Sequence, residues 1–279
     1  MGRSLGDLLT QLRTPEGRFE LKFSLFLRSK PLISRVAFLY RRTAIRSTRV
    51  AAIVGSFGKT TTTRTVLTAL GGDAGKLFEF NGPASIGFAL LRTRPGTCYT
   101  ALEAGIAGPG QMSPISHMVR PDIVVVTSIG SEHNRSFKTL DATREEKSKI
   151  AVALPPDGLA VLNGDDDNVL WMRKRIQSRV ITYGFRPDND IRAVDYSIQW
   201  PDGARFRLLA GGESYRMRVR LLGRHMVYPV LAAAAVAVGE GIPLASVLLA
   251  LSDLPPTPGR MQVVKLPNGA VLLRDDYKS

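Results

Sequence analysis

Val50-Ala-Ala-Ile-Val-Gly55-Ser-Phe-Gly58-Lys59-Thr60-Thr61 decides the fold class of this 279-residue chain. An apolar run rich in β-branched residues enters a turn with two glycines and leaves it as a helix. A strand, a glycine turn and a helix in immediate succession gather several backbone N–H groups and the positive end of the helix dipole at one point. Such a point suits a polyphosphate. Lys59 stands where it would bridge the β- and γ-phosphates, and the Thr60 hydroxyl where it would bind Mg²⁺. The generic phosphate-binding pattern asks for glycine five residues before Gly58, where Ile53 stands, so the loop is a shortened form.

Outward from this loop, short β-rich runs alternate with helix-length stretches: Cys98 to Leu102, Asp122 to Thr127, Leu159 to Leu162 and Val180 to Tyr183. That alternation predicts a mostly parallel sheet with helices on both faces. From Ile191 to Leu222 the pattern becomes strand-like, with turn signals at Pro201-Asp202-Gly203 and Gly211-Gly212, and predicts a small antiparallel appendage. Met226 to Gly239 is apolar nearly all round and predicts a buried helix stopped by Gly241.

Composition is that of an ordinary folded protein, 44% hydrophobic and 22% charged, which excludes wholesale disorder. Cys98 is the only cysteine, so an internal disulfide and a cysteine metal cluster are excluded, as expected for the reducing cytoplasm. No apolar run is long enough to span a bilayer, because Lys22, Arg28, Lys30 and Arg35 interrupt the best candidate. Residues 1–50 hold eleven Lys/Arg against Asp7, Glu16 and Glu20, more than half of the +14 net charge. Residues 1–48 are read as a basic helical leader broken at Pro15 and Pro31. A solvated helical face explains it first, and peripheral contact with an anionic membrane second. Nucleic acid comes last, since stacking aromatics are not interleaved with the charge.

The shortened loop resembles that of the Mur ligases and folylpolyglutamate synthases, T-G-[TS]-x-G-K-[TS]-T, with Val54 in place of the first threonine. Further family-like motifs follow in order. Glu103, closing Leu102-Glu103-Ala104-Gly105, matches the glutamate that helps hold magnesium on the nucleotide. Pro121 to His133 is similar to P-D-x-x-x-x-T-N-I-x-x-x-H, which makes His133 a second-metal ligand. Lys147 falls where the family carries a lysine carbamylated by CO₂, with Lys149 as the competing position and an unmodified surface lysine as the plain alternative. Carbamylation would turn a cation that repels Mg²⁺ into an oxygen ligand. Asn163-Gly-Asp165-Asp166 resembles a turn-shaping N-x-D-D. His225 opens the adenine-pocket motif, in which Met226 and Pro229 replace two asparagines. Arg260 of Pro258-Gly-Arg matches a phosphate-reaching arginine, and Asp275 or Asp276 the ribose-facing carboxylate. Asn81 matches part of a substrate-binding segment that continues to Gly87.

The resemblance covers about residues 49–279 and implies an ATP-dependent ligase with ATP, Mg²⁺ and a carbamylated lysine as its chemistry. Gly55, Ser56, Phe57, Gly58, Lys59, Thr60, Thr61, His225, Arg260, Asp275 and Asp276 would hold ATP. Thr60, Glu103, His133 and Lys147 would hold metal, and Lys59, His133 and Lys147 would be catalytic. A carboxylate acceptor and an amine would be its partners. Asp275-Asp276-Tyr277 and the Asn81 segment lean toward the branch that adds D-alanyl-D-alanine to a UDP-muramoyl tripeptide. Residues 49–258 are expected to be the central ATP domain, and 259–279 the start of a linker to a C-terminal ligase domain or partner chain. Two alternatives stand beside this: a ligase acting on folate, cyanophycin or polyglutamate, and a nucleotide-binding module without turnover.

Overall fold

The computed structural model describes residues 14, 29, 31–76, 83–131 and 134–276. Its strands are β1 (Arg49–Val54), β2 (Tyr99–Glu103), β3 (Ile123–Val126), β4 (Leu159–Asn163), β5 (Arg179–Gly184), β6 (Ile191–Gln199), β7 (Gly203–Ala210), β8 (Glu213–Val219), β9 (Gln262–Lys265) and β10 (Val271–Arg274). The helices are α1 (31–42), α2 (Lys59–Ala69), α3 (Pro83–Arg92), α4 (Met112–Val119), α5 (Asn134–Phe137), α6 (Leu140–Val152), α7 (Asp167–Leu170), α8 (Val227–Gly239) and α9 (Leu244–Asp253).

Eight strands make one sheet in the order β2-β1-β3-β4-β5-β6-β7-β8. Every pairing from β2 to β6 is parallel, and β6-β7-β8 is antiparallel. The antiparallel stretch therefore continues the main sheet, through a short parallel pairing of Tyr183 and Gly184 with Ile191 and Arg192.

The central strands are buried on both faces, which is why they read as continuous apolar runs. In β1, Ala51 and Ile53 join a cluster with Val66 of α2 and Val230, Leu231 and Val236 of α8. Val50, Ala52 and Val54 join the opposite cluster with Ile86 of α3, Ile115 of α4 and Ile150 of α6. The α8 helix is buried along nearly its whole length, as its all-apolar sequence requires. It ends where Gly241 takes φ 68° and Ile242 N–H returns to the Ala237 carbonyl.

The basic N-terminal stretch is in part structural. Ala37 of α1 and Ile45 just after it lie in the core. Arg41, 4% exposed, donates to the carbonyls of Ile45, Val119 and Arg120 and to Asp122 at 2.9 Å. Asp122 also accepts from Val50 N–H, so one ion pair fastens α1 to the starts of β1 and β3.

β1 lies between β2 and β3, so the strand order reverses there: the chain passes to one side of β1 for β2 and to the other side for β3. In open α/β sheets that reversal point opens a crevice outside the carboxyl ends of the strands. The phosphate-type loop, Glu103 and the segment after β3 all stand there.

Candidate active site

Gly55 and Gly58 shape the loop at the end of β1. Gly55 has φ 149° and lies so close to β3 that an added Cβ would stand 2.0 Å from the Thr127 hydroxyl. Gly58 caps α2 in the left-handed region at φ 80°, with no side-chain cap on the first turn. The loop is held from outside by the segment after β3. Ser56 N–H donates to the Ser128 carbonyl, Phe57 N–H to Ser128 Oγ, and Thr127 Oγ1 to the Phe57 carbonyl at 2.6 Å. Ser56 Oγ donates to the Gly130 carbonyl and accepts from its N–H. Lys59 Nζ lies 3.0 Å from both the Gly55 and Ser56 carbonyls.

A cleft of about 380 Å³ opens over this loop. Ser56, Phe57, Gly58, Lys59, Thr60 and Thr61 form its floor, Glu103 one wall, and His225, Met226, Pro229, Arg260 and Asp275 the rest. Glu103 is buried at the carboxyl end of β2. Thr257 holds the Pro258-Gly-Arg260 segment over α2 through a 3.1 Å hydroxyl contact with Thr61, and Arg64 donates to the Pro255 and Pro256 carbonyls. Met261 N–H bonds Asp275, which brings that carboxylate beside Arg260. Asp276 instead pairs with Arg274, outside the cleft.

Lys147 lies behind the floor. It is 2% exposed, and its Nζ is 3.0 Å from Ser56 Oγ. The plain reading of an exposed surface lysine does not hold. Lys149 faces elsewhere, paired at 2.6 Å with Glu146. Burial works to raise the Glu146 pKa, but Lys149 and the N–H groups of Met112 and Gly110 outweigh it and hold the carboxyl below its ordinary value. His133, Asn81 and Tyr277 lie outside the described residues.

The turn after β4 braces the same loop. Asn163 donates to the Thr127 carbonyl and accepts from Asp165 N–H, and Asp166 accepts from Ile129 N–H. Asp165 accepts from Phe185 N–H, Arg186 N–H, Asn189 and the Tyr228 hydroxyl at 2.8 Å. Burial opposes the Asp165 charge, yet these donors outweigh it and hold its pKa below the ordinary value. Burial first and then the same carboxylate push Tyr228 up to about 12. The link joins the β4 turn to α8, whose first turn lines the cleft, and the sequence gives no motif for it.

Asp165→Asn is expected to cost about 1.5–3 kcal/mol, the worth of hydrogen bonds to a charged group. Because the folded pKa is depressed, this stabilisation is fully present above the ordinary aspartate value of 3.8 and is lost as pH falls through the folded value. Urea unfolding of both proteins across the acid range checks it: the gap should close toward low pH. A gap constant with pH would refute the charge-based account.

The Mur ligase middle domain family model matches residues 53–237, well over half of the chain. The chain belongs to the Mur ligase family. Among curated relatives of this Mur ligase domain is the UDP-N-acetylmuramoyl-tripeptide–D-alanyl-D-alanine ligase of Escherichia coli K12, 28% identical over 237 residues, covering 83% of this chain and 52% of the relative. The ligase of the same name from Mycobacterium bovis is 30% identical over 234 residues, covering 82% and 46%. The chain thus spans about half the length of the curated relatives it matches. Among solved structures, a MurF from Acinetobacter baumannii matches with a TM-score of 0.81 at 23% identity, covering 90% of this chain and 55% of that one. A MurF ligase from Thermotoga maritima in complex with ADP matches at 0.78 and 20% identity, with 90% and 58% covered. At these identities the structures establish the shared fold.

Proposed function

We propose that this chain is the ATP-binding core of a ligase that phosphorylates an acceptor carboxylate and joins the resulting acyl group to an amine, in peptidoglycan precursor synthesis. The observation that carries this reading is the convergence on one cleft of the phosphate-type loop, Glu103, Arg260 and Asp275, with Lys147 buried behind the loop. The names of the curated relatives favour D-alanyl-D-alanine as the amine and a UDP-muramoyl tripeptide as the acceptor, over folate or polymer substrates.

The loop N–H groups and the open first turn of α2 receive the phosphates. Lys59 exchanges its loop carbonyls for phosphate oxygens, and Arg260 adds a second cation from the opposite wall. His225, Met226 and Pro229 lie against the base, and Asp275 accepts from the ribose. The donor set also suits magnesium: the Thr60 hydroxyl and the buried Glu103 carboxylate are oxygen ligands on one cleft, and Mg²⁺ is usually held by one or two carboxylates together with phosphates. Bound there, the cation would neutralise charge on the transferring phosphoryl group. Carbamylation of Lys147, a second cation site involving His133, and substrate contact at Asn81 belong to the same proposal.

Residues 259–279 fit the start of a further domain or the docking point of a partner chain. β9 and β10 form a separate hairpin on which Leu272 and Leu273 are exposed, and an isolated hairpin is at best marginally stable in water. Among the described residues no helix is long and apolar enough to cross a membrane. We place the reaction in the cytoplasm. The basic N-terminal segment, with Leu32, Val36 and Leu39 exposed beside Arg35, is suited to peripheral membrane contact.

The 279 residues alone are expected to bind Mg-ATP with little or no ligation. Holding both reactants in register supplies about 7–11 kcal/mol of barrier lowering, and the cleft described here accounts only for the nucleotide side. Phosphate release is the readout. Robust release requiring both an acceptor carboxylate and an amino acid would refute the division of labour.

A further inference from the structure

The outer face of the antiparallel end of the sheet is a plane of arginines. β7 and β8 turn Ala204, Phe206, Leu208, Met217 and Val219 into the core. Their alternate residues, Arg205, Arg207, Arg216 and Arg218, are exposed on the side away from that cluster, and Arg220 is exposed just past the end of β8. The register sets Arg205 directly opposite Arg218 and Arg207 directly opposite Arg216. Like charges directly opposite one another destabilise a strand pair. Counter-ions are few: Arg207 meets Asp195 at 2.5 Å, and Arg218 reaches Asp202 only at 4.0 Å. Among the described residues Arg205, Arg216 and Arg220 have no carboxylate partner.

Protection of an edge explains part of this arrangement. β8 is the last strand of the sheet, and charged side chains on an edge strand discourage pairing with other chains. That argument does not reach Arg205 and Arg207, because β7 has a neighbour on each side. A surface that concentrates like charge on an interior strand is matched by an extended anionic partner.

The tip beside it carries an exposed tryptophan. At the β6–β7 turn Trp200 is 56% exposed, one residue beyond Gln199, which pairs with Gly203 at the start of the arginine-bearing strand, whereas Ile198 pairs with the buried Ala204 and belongs to the other face. Tryptophan favours the headgroup level of a membrane, and basic side chains around it meet anionic headgroups. The outward residues of β7 and β8 include no aromatic on which bases could stack. We infer that this face docks peripherally on an anionic lipid surface, with Trp200 at headgroup depth and the arginines over the lipid phosphates. The inference does not depend on the ligase reading.

Flotation of the full 279-residue chain with phosphatidylcholine vesicles, with and without phosphatidylserine, tests it. Wild type should float only with the anionic vesicles and detach as salt rises. Each neutralised arginine should weaken binding about fivefold, so a variant carrying Arg205→Thr, Arg207→Thr, Arg216→Thr and Arg218→Thr should lose at least about 100-fold. Its thermal midpoint should match or exceed the wild-type value, since two repulsive pairs are gone. Trp200→Ser, which removes no charge, should weaken binding on the order of tenfold. In a Trp171→Phe background, Trp200 emission should shift to the blue on vesicles. Failure of wild type to float would overturn the inference, and so would a quadruple variant that floats like wild type, which would assign binding to the basic N-terminal segment. Unchanged binding of Trp200→Ser, or tighter binding to a single-stranded RNA oligonucleotide than to vesicles, would overturn it too.

Discussion

Lys147→Ala in any ligation-competent protein or complex that includes this chain is expected to abolish acyl-phosphate formation while leaving Mg-ATP binding nearly intact. The nucleotide would still meet the loop N–H groups, Lys59, Thr60 and Glu103, none of which the substitution removes. What is lost lies behind Ser56, where Lys147 Nζ sits 3.0 Å from the hydroxyl. Carried as a carbamate, that side chain would present oxygen toward a cation at the cleft floor. Removing one such electrostatic stabiliser costs about 100- to 1,000-fold in rate. Added short-chain carboxylates should restore part of the activity by returning an oxygen to the vacated space. Single-turnover phosphate release with and without acetate measures both effects. Wild-type turnover in the variant would sink the assignment, whereas Lys149→Ala should be near neutral because Lys149 pairs with Glu146 on another face.

Gly55→Ala should be the most damaging single change in the loop. At φ 149° an L side chain is strained, and its Cβ would stand 2.0 Å from Thr127 Oγ1 and 2.9 Å from Ser128 N. Those two residues hold Ser56 and Phe57 in place, so the clash cannot be relieved by one flexible side chain. A stability loss of about 2–4 kcal/mol combines backbone strain with overpacking. Nucleotide affinity should fall by more than about 100-fold, because the displaced N–H groups no longer converge. Chemical unfolding and nucleotide titration of the same preparation would separate the two effects. Unchanged affinity in a folded variant would mean that the loop is not the phosphate site.

The parts of this site that follow from contiguous sequence were legible in it. The passage from Val50 to Thr61 is one strand, one turn and one helix, and its chemistry is local. Glu103 was legible as the last residue of a strand whose carboxyl end faces the crevice. Where two candidates lay within two residues, only packing separated them. Lys147 and Lys149 point about 160° apart on a helix, and capture of Lys149 by Glu146 leaves Lys147 to face the loop. Asp275 and Asp276 alternate across a strand end, and the bond from Met261 turns the first toward the cleft. The bracing of the loop by Thr127, Ser128 and Asp166, and the bond from Tyr228 to Asp165, join residues far apart in the chain. They depend on strand order and on the docking of α8, which no local pattern encodes. Continuation of the sheet through β6 rests likewise on a two-residue parallel pairing too short to leave a periodicity.

The central claim is that the cleft over Gly55 to Thr61 binds Mg-ATP through its lysine. Isothermal titration of Mg-ATP into wild type and Lys59→Ala tests it most directly. Loss of a charge-assisted contact worth about 1.5–3 kcal/mol predicts affinity about 10- to 150-fold weaker in the variant. No binding by the folded wild-type chain, or equal affinity in the two proteins, would contradict it.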